Sequence, residues 1–290
     1  MLNILITGAT GNVGIEVIKS LQELQQPLKI VAGVRDTITD GSILKGYNID
    51  LIKFDIIDSS TFAAAFKNTD IIFLLRPPQI SEIKKHFVPL IQSTMKANIK
   101  HIVFLSVQGV EKSNIIPHHK IEKLIVESKI PYTFLRPAYF MQNFTTTLSN
   151  DLLNKRRIYL PAGNAKFTLV DVRDIGRVAA VVLTNTATHI NKSYELTSNK
   201  RLSFYEMADK LGKGLGVKIK YESPNLLHFY LAKRKENTPF LLIIVLIMLH
   251  FFPQFQKDPA VTKCIKQLTG NEPVSFEIFI KDNKNLLVQL

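Results

Sequence analysis

The stretch Leu2-Asn3-Ile4-Leu5-Ile6-Thr7-Gly8-Ala9-Thr10-Gly11-Asn12-Val13-Gly14 decides the fold. A short apolar run ends in a turn with three glycines, and Val13, Val17, Leu21 and Leu24 then recur at helical spacing. That order reads as a buried strand, a tight turn and an amphipathic helix, the first half of a βαβ nucleotide site. Gly8 can take turn dihedrals closed to residues with a Cβ, and Gly11 lets a pyrophosphate approach the backbone. Gly14 allows the helix to pack closely on the strand. Phosphates then sit at the helix N-terminus, where unpaired N–H groups and the helix dipole favour negative charge. Gly8, Thr10, Gly11, Asn12, Val13 and Gly14 are therefore candidate cofactor contacts.

Outward from this turn, apolar runs alternate with helical patterns. Leu28–Val34, Leu51–Phe54, Ile71–Leu75, His101–Leu105 and Tyr132–Leu135 are short and rich in branched residues. Runs apolar on both faces belong to a parallel sheet covered by helices on both sides. The expected fold is α/β, a Rossmann doubly wound parallel sheet with a small, mostly helical C-terminal substrate domain. Residues 1–137 with 165–198 are assigned to the sheet domain, and 138–164 with 199–290 to a smaller cap. Within the cap, Tyr139 to Leu153 reads as one helix. Asp171 or Asp174 is placed to cap the helix that follows, and Ser193–Leu196 is expected to return a strand to the sheet.

The chain of 290 residues is 46% hydrophobic and 21% charged, a globular composition that can bury a large core. Its one cysteine, Cys264, excludes an internal disulfide and suits a reducing compartment. No signal peptide precedes the first strand, so a cytoplasmic location is expected. The net charge of +13 is scattered, with short clusters at Lys155-Arg156-Arg157 and Lys233-Arg234-Lys235. A solvated basic surface is the reading preferred to nucleic-acid or anionic-membrane contact. The run Phe240 to Phe252 is almost wholly apolar but is bracketed by Pro239 and Pro253. As a helix it reaches only about 20 Å, short of a ~30 Å hydrocarbon core, so no membrane span is expected. A buried cap helix, a pocket wall or a face for a homodimer is preferred to membrane contact.

In a doubly wound sheet, ligands bind beyond the carboxyl ends of the strands, so the residues just after each strand carry the candidates. Arg35 stands where an NAD enzyme usually has an Asp or Glu for the ribose hydroxyls, and its guanidinium suits the 2′-phosphate of NADP(H). Asp36, one residue on, keeps NAD(H) open. Asp55 can meet the adenine amino group or cap the helix near Ser59. Arg76 can meet cofactor phosphate or an anionic substrate, or pair with a neighbouring helix. Ser106 follows the fifth strand and joins the cofactor candidates.

The turn Thr7 to Gly14, Val34-Arg35-Asp36, and Ile130 to Pro137 with Phe140-Met141-Gln142-Asn143-Phe144 resemble the NmrA-like group of atypical short-chain dehydrogenases/reductases. That group includes type 2 NADPH:quinone oxidoreductases, azoreductase-like and isoflavone reductase-like enzymes, and NmrA redox-sensing regulators. The resemblance implies an NADP(H)-binding domain, a small substrate domain and an NAD(P)H-dependent oxidoreductase acting on a small molecule. The wider superfamily uses a Tyr-x-x-x-Lys pair with a Ser. Here Lys120 matches the Lys, Ile116 replaces the Tyr, and Gln108 stands at the Ser position. Lys120 matches the catalytic lysine of the isoflavone reductase-like branch, with a solvated surface lysine as the alternative. His118 resembles a histidine of the quinone reductase branch. Either it or His119 could supply a proton near neutral pH, because imidazole titrates there. No third ligand stands at metal spacing, so no metal is expected. Tyr139, Phe140 and Asn143 are expected to line the wall beside the nicotinamide, with core packing an equal use for Phe140. Two readings follow: hydride transfer from NADPH to a planar electrophile such as a quinone, or a non-catalytic dinucleotide sensor acting through a protein partner.

Overall fold

The computed structural model describes residues 1–112 and 114–288. In chain order the first elements are β1 (Leu2–Thr7), α1 (Asn12–Glu23), β2 (Leu28–Val34), α2 (Thr39–Ile43), β3 (Asp50–Lys53) and α3 (Phe62–Phe66). Next come β4 (Ile71–Leu75), α4 (Ile83–Lys96), β5 (His101–Leu105), α5 (Pro117–Glu127) and β6 (Tyr132–Pro137). The chain continues through β7 (Tyr139–Phe140), α6 (Ser149–Lys155), β8 (Arg157–Tyr159), β9 (Lys166–Val170), α7 (Val172–Thr184), β10 (Lys192–Leu196) and β11 (Arg201–Ser203). It ends with α8 (Phe204–Leu215), β12 (Lys220–Glu222), α9 (Leu226–Lys235), α10 (Phe240–Phe251), α11 (Cys264–Thr269), α12 (Phe276–Asp282) and α13 (Lys284–Leu287).

The chain divides into two compact units. The first comprises Met1–Pro137, Val172–Leu196 and Cys264–Glu272. Its sheet has seven strands in the order β10-β6-β5-β4-β1-β2-β3, and every pairing in it is parallel. All five residues of β5 are buried, which is why its sequence shows no polar alternation. On one face Leu5, Ile72, Leu74, Ile102 and Phe104 pack against Phe62 and Phe66 of α3, Phe87 of α4 and Ile121 of α5. On the other face α1 and α7 approach so closely that a Cβ on Gly176 would stand 2.5 Å from the Glu16 carbonyl oxygen. The strand order reverses between β1 and β4, the point at which a doubly wound sheet opens a crevice.

The second unit comprises Ala138–Asp171, Thr197–Lys263 and Pro273–Leu290. It is more than helical, with a three-stranded sheet in the order β11-β9-β7 and a parallel pair of β8 and β12. Phe144, Phe167, Phe204, Phe229 and Phe279 are buried in its core. The helix α8 starts at a reciprocal cap in which the Ser203 hydroxyl accepts from the Glu206 amide and the Glu206 carboxylate accepts from the Ser203 amide. Gly216, in the left-handed region at φ 74°, ends it.

Four sequence expectations change. Tyr139 to Leu153 is not one helix: it divides into β7, a 3₁₀ turn at Met141–Phe144, and α6. Residues 165–171 fall in the second unit, because β9 pairs with β7 and β11. Residues 264–272 return to the first unit, where α11 packs near α7 and β10. The run Phe240 to Phe252 does form a helix, but it is not buried. Only Ile243, Leu246 and His250 of α10 are enclosed. Among the described residues, no helix is long and apolar enough to cross a membrane.

Candidate functional site

The glycine turn closes at the switch point. Gly8 takes φ 60°, in the left-handed region, and its carbonyl accepts from the Gly11 amide at 3.0 Å. A Cβ on Gly14 would stand 2.3 Å from that same carbonyl oxygen and 2.7 Å from the Ala9 Cα, so only glycine allows α1 to start there. Gly11 is the N-cap of α1 and offers no side chain, and the first turn of the helix holds no acidic residue. The helix N-terminus is thus left to an anion from outside the chain. Gly11 and Asn12 are exposed, and Gly8 and Thr10 are half-buried. The Val13 side chain is core, leaving its backbone amide as its means of contact.

Thr7 has a role that its sequence did not announce. Its hydroxyl donates to the Phe73 carbonyl at 3.1 Å and accepts from the Leu75 amide at 2.9 Å. It extends the β1–β4 ladder by one link where the strands part, and so holds the crevice edges in register. A threonine at a strand end gives no hint of this until the neighbouring strand is known.

At the end of β2 the two candidates separate. The Asp36 Oδ1 accepts from the Ile38 amide at 2.7 Å and from the Thr39 amide at 3.1 Å, which holds its carboxyl below the usual range. Asp40 accepts from the backbone amides of Arg35 and Asp36. The Arg35 side chain is exposed and has no hydrogen bond or ion pair among the described residues. Asp55 does not cap the 3₁₀ turn at Ser59–Thr61. Asp58 does so, its carboxylate accepting from the Ser60 amide, while the Asp55 Oδ1 takes the Ile57 amide at 3.1 Å.

Arg76 and Ser106 follow β4 and β5, whose last residues Leu75 and Leu105 are register partners. The Arg76 Nη1 donates to the carbonyls of Pro77, Pro78 and Ile80, the last at 2.7 Å, and burial lowers its pKa. The ion pair with a neighbouring helix is not formed among the described residues. Its Nε and the Ser106 hydroxyl are both buried without a hydrogen-bond partner among the described residues. Two such atoms at adjacent strand ends are a costly arrangement unless a ligand engages them. Gln108, by contrast, donates from Nε2 to Glu195 at 3.1 Å and joins β5's exit to β10. Arg136 is bound in bidentate fashion by Glu122, at 2.7 and 3.0 Å, and is structural.

His118 and Lys120 lie on the first turn of α5, but two residues apart they face different sides. The His118 ring lies 6.0 Å from that of Phe104. Burial, with the Arg76 charge adding to it, pushes its pKa down to about 3. At neutral pH the ring is then a neutral imidazole with a single N–H, a much weaker acid than the imidazolium to which the sequence points. His119 sits beside it with Nδ1 3.3 Å from the Val110 carbonyl. Lys120 is exposed, with no hydrogen bond or ion pair among the described residues.

Tyr139, Phe140 and Asn143 belong to the second unit. Tyr139 packs against Phe167, Phe204 and His250. The His250 Nδ1 lies 2.6 Å from the Leu246 carbonyl and so carries the proton, leaving Nε2 to accept from the Tyr139 hydroxyl at 3.2 Å. Burial raises the Tyr139 pKa and lowers that of His250 to about 4, so the pair is neutral. Sequence reasoning missed His250 because 111 residues separate it from its partner. Phe140 presents the opposite face of β7 and is half-buried outside this cluster. The Asn143 carbonyl accepts from the Leu148 amide at 2.8 Å.

A doubly wound parallel sheet, with a glycine turn and an uncapped helix at its switch point, defines a protein of the Rossmann class. Within it, the chain belongs to the NmrA-like family, whose model matches residues 2–233. The chain is 28% identical over 285 residues to prestalk A differentiation protein A of Dictyostelium discoideum, covering 97% of this chain and 92% of that protein. It is 27% identical to the NAD(P)H azoreductase of Xenophilus azovorans, covering 96% of each. The solved NADPH-dependent quinone oxidoreductase of Escherichia coli, in complex with NADPH, shares the fold. Its TM-score is 0.87 at 23% identity, over 96% of this chain and 99% of that one.

Proposed function

We propose that the chain is an NADPH-dependent oxidoreductase that reduces a small planar electrophile such as a quinone. The observation that carries the cofactor choice is the contrast at the end of β2. The Asp36 carboxylate is engaged by its own loop, whereas the Arg35 guanidinium is exposed and without a partner among the described residues. The names of the azoreductase and quinone reductase relatives support the reaction class.

In this reading, the backbone amides at the start of α1 hold the diphosphate, Gly14 gives the close approach, and Arg35 binds the 2′-phosphate. Arg76 Nε and Ser106 Oγ gain partners from the bound cofactor. The nicotinamide, when bound, supplies the hydride. The Lys120 ammonium steadies the ribose hydroxyls. The one proton that completes reduction of a quinone to its hydroquinone comes from solvent through Lys120, with His118, a neutral imidazole, able only to relay it. Phe140 and Asn143 are assigned to the substrate. Tyr139 contributes by holding its wall through His250. The test is NADPH oxidation with a panel of quinones and azo compounds. Absence of turnover across the panel sinks the enzymatic reading, and an unchanged rate in Lys120→Ala removes Lys120 from it.

A second reading, a dinucleotide-binding sensor that acts through a protein partner or a homodimer, is favoured by Ile116 at the place of the proton-relay tyrosine. It predicts binding without turnover and a partner affinity that differs between NADP and NADPH.

A further inference from the structure

The outer side of α10 carries an apolar surface that the fold leaves uncovered. Ile243, Leu246 and His250 form one narrow stripe toward the core. At 100° per residue, the exposed side chains sweep an arc of roughly 200° around the helix. Leu241 is 72% exposed and Leu249 53%, and Phe255 in the 3₁₀ turn that follows is 73% exposed. Beside α10, Leu227 and Leu231 of α9, one helical turn apart, extend the surface. Soluble proteins rarely leave a contiguous apolar patch of this kind without a partner.

Charge and shape identify the partner. No acidic residue occurs from Asn237 through Lys257. Arg234 and Lys235 precede the patch and Lys257 follows it, all three exposed, in a chain of net charge +13. Lys233 is excluded, since it is buried against Asp151 and Glu236. A flat protein face covers about half of such an arc, and a second copy would bring the same cations against one another. A lipid interface surrounds whatever is immersed in it, and anionic headgroups match the flanking cations.

We propose that α10 and the turn after it dock the protein on an anionic bilayer surface. The helix lies in the interfacial plane, since its 12 residues reach only about 18 Å and cannot span. Its exposed leucines enter the acyl boundary, while Arg234, Lys235 and Lys257 stand at the phosphate level. This docking is independent of the cofactor and of any reaction.

The experiment is co-sedimentation of the full chain with vesicles of phosphatidylcholine alone or mixed with phosphatidylglycerol, without nucleotide. The variant Leu241→Glu/Val245→Glu/Leu249→Glu changes only exposed positions, and its circular dichroism should match that of the unaltered chain. Binding to the anionic vesicles is expected, weaker on the neutral ones, and reduced about tenfold or more in the triple variant. Arg234→Gln/Lys235→Gln should weaken the anionic preference alone, as should added salt. The proposal is overturned if the chain stays in the supernatant with both vesicles, or if the triple variant binds equally well. It is also overturned if sedimentation equilibrium shows a dimer that the triple variant dissociates and that does not bind vesicles.

Discussion

Arg35 and Asp36 are adjacent, and the difference between two cofactors rests on which of them is already engaged. Asp36 gives two hydrogen-bond positions to its own backbone turn, while Arg35 gives no side-chain bond to the described residues. Arg35→Ala is therefore expected to weaken NADPH binding about tenfold or more, the value of a charge-assisted pair, and to leave NADH binding unchanged. Fluorescence titration with both cofactors measures it, and equal loss for the two would contradict the assignment. At His118, the folded pKa of about 3 lies far below the unfolded value near 6.5. The unfolded chain takes up a proton that the folded chain refuses, so stability is full above pH 6.5 and declines as pH falls toward 3. His118→Gln should make that decline shallower by about 1.4 kcal/mol per pH unit within the window. The pH–rate profile of the reductase should show no inflection between pH 5.5 and 7.5 that this variant removes.

At the scale of elements, two glycines set how closely α1 can lie. Gly14 brings it against the Gly8 carbonyl, and Gly176 lets α7 rest on the Glu16 backbone. A methyl group at either place collides with backbone, which yields less readily than a side chain. Gly176→Ala should cost about 1–3 kcal/mol in urea denaturation. Gly14→Ala should cost as much and also abolish cofactor binding, because it displaces the helix N-terminus. In the second unit, Tyr139→Phe deprives His250 Nε2 of its donor. A loss of about 1–2 kcal/mol is expected, with cofactor affinity unaltered. A change in NADPH affinity of that variant would show that Tyr139 acts beyond its own core.

For the whole molecule, ligand binding and stability are linked. Cofactor at 100 times its Kd should stabilise the chain by about 2.7 kcal/mol, seen as a rise in Tm. NADPH should raise Tm more than an equal concentration of NADH, and Arg35→Ala should erase the difference. If both cofactors shift Tm equally in the unaltered chain, the NADP preference is wrong. Acid should also act on the molecule as a whole, since His101 and His250, both held near 4 by burial, add to His118 in the same sense.

Much of this was written in local pattern. The strand, glycine turn and helix at Leu2 to Glu23 and the five further apolar runs of the first unit follow from periodicity, because each depends on residues a few positions apart. The candidate contacts at Gly8, Gly11, Gly14 and Arg35 were legible for the same reason. Other features belong to tertiary structure. β9 pairs with β7 and β11 instead of entering the large sheet, Thr7 joins β1 to β4, and His250 anchors Tyr139, all through partners dozens of residues away. The neutrality of His118 is of this kind, since it comes from enclosure beside Arg76 rather than from its neighbours in sequence. So is the exposure of α10: composition marks the run Phe240 to Phe252 as apolar, but burial depends on whether other elements reach it, and in the folded chain only one side is met.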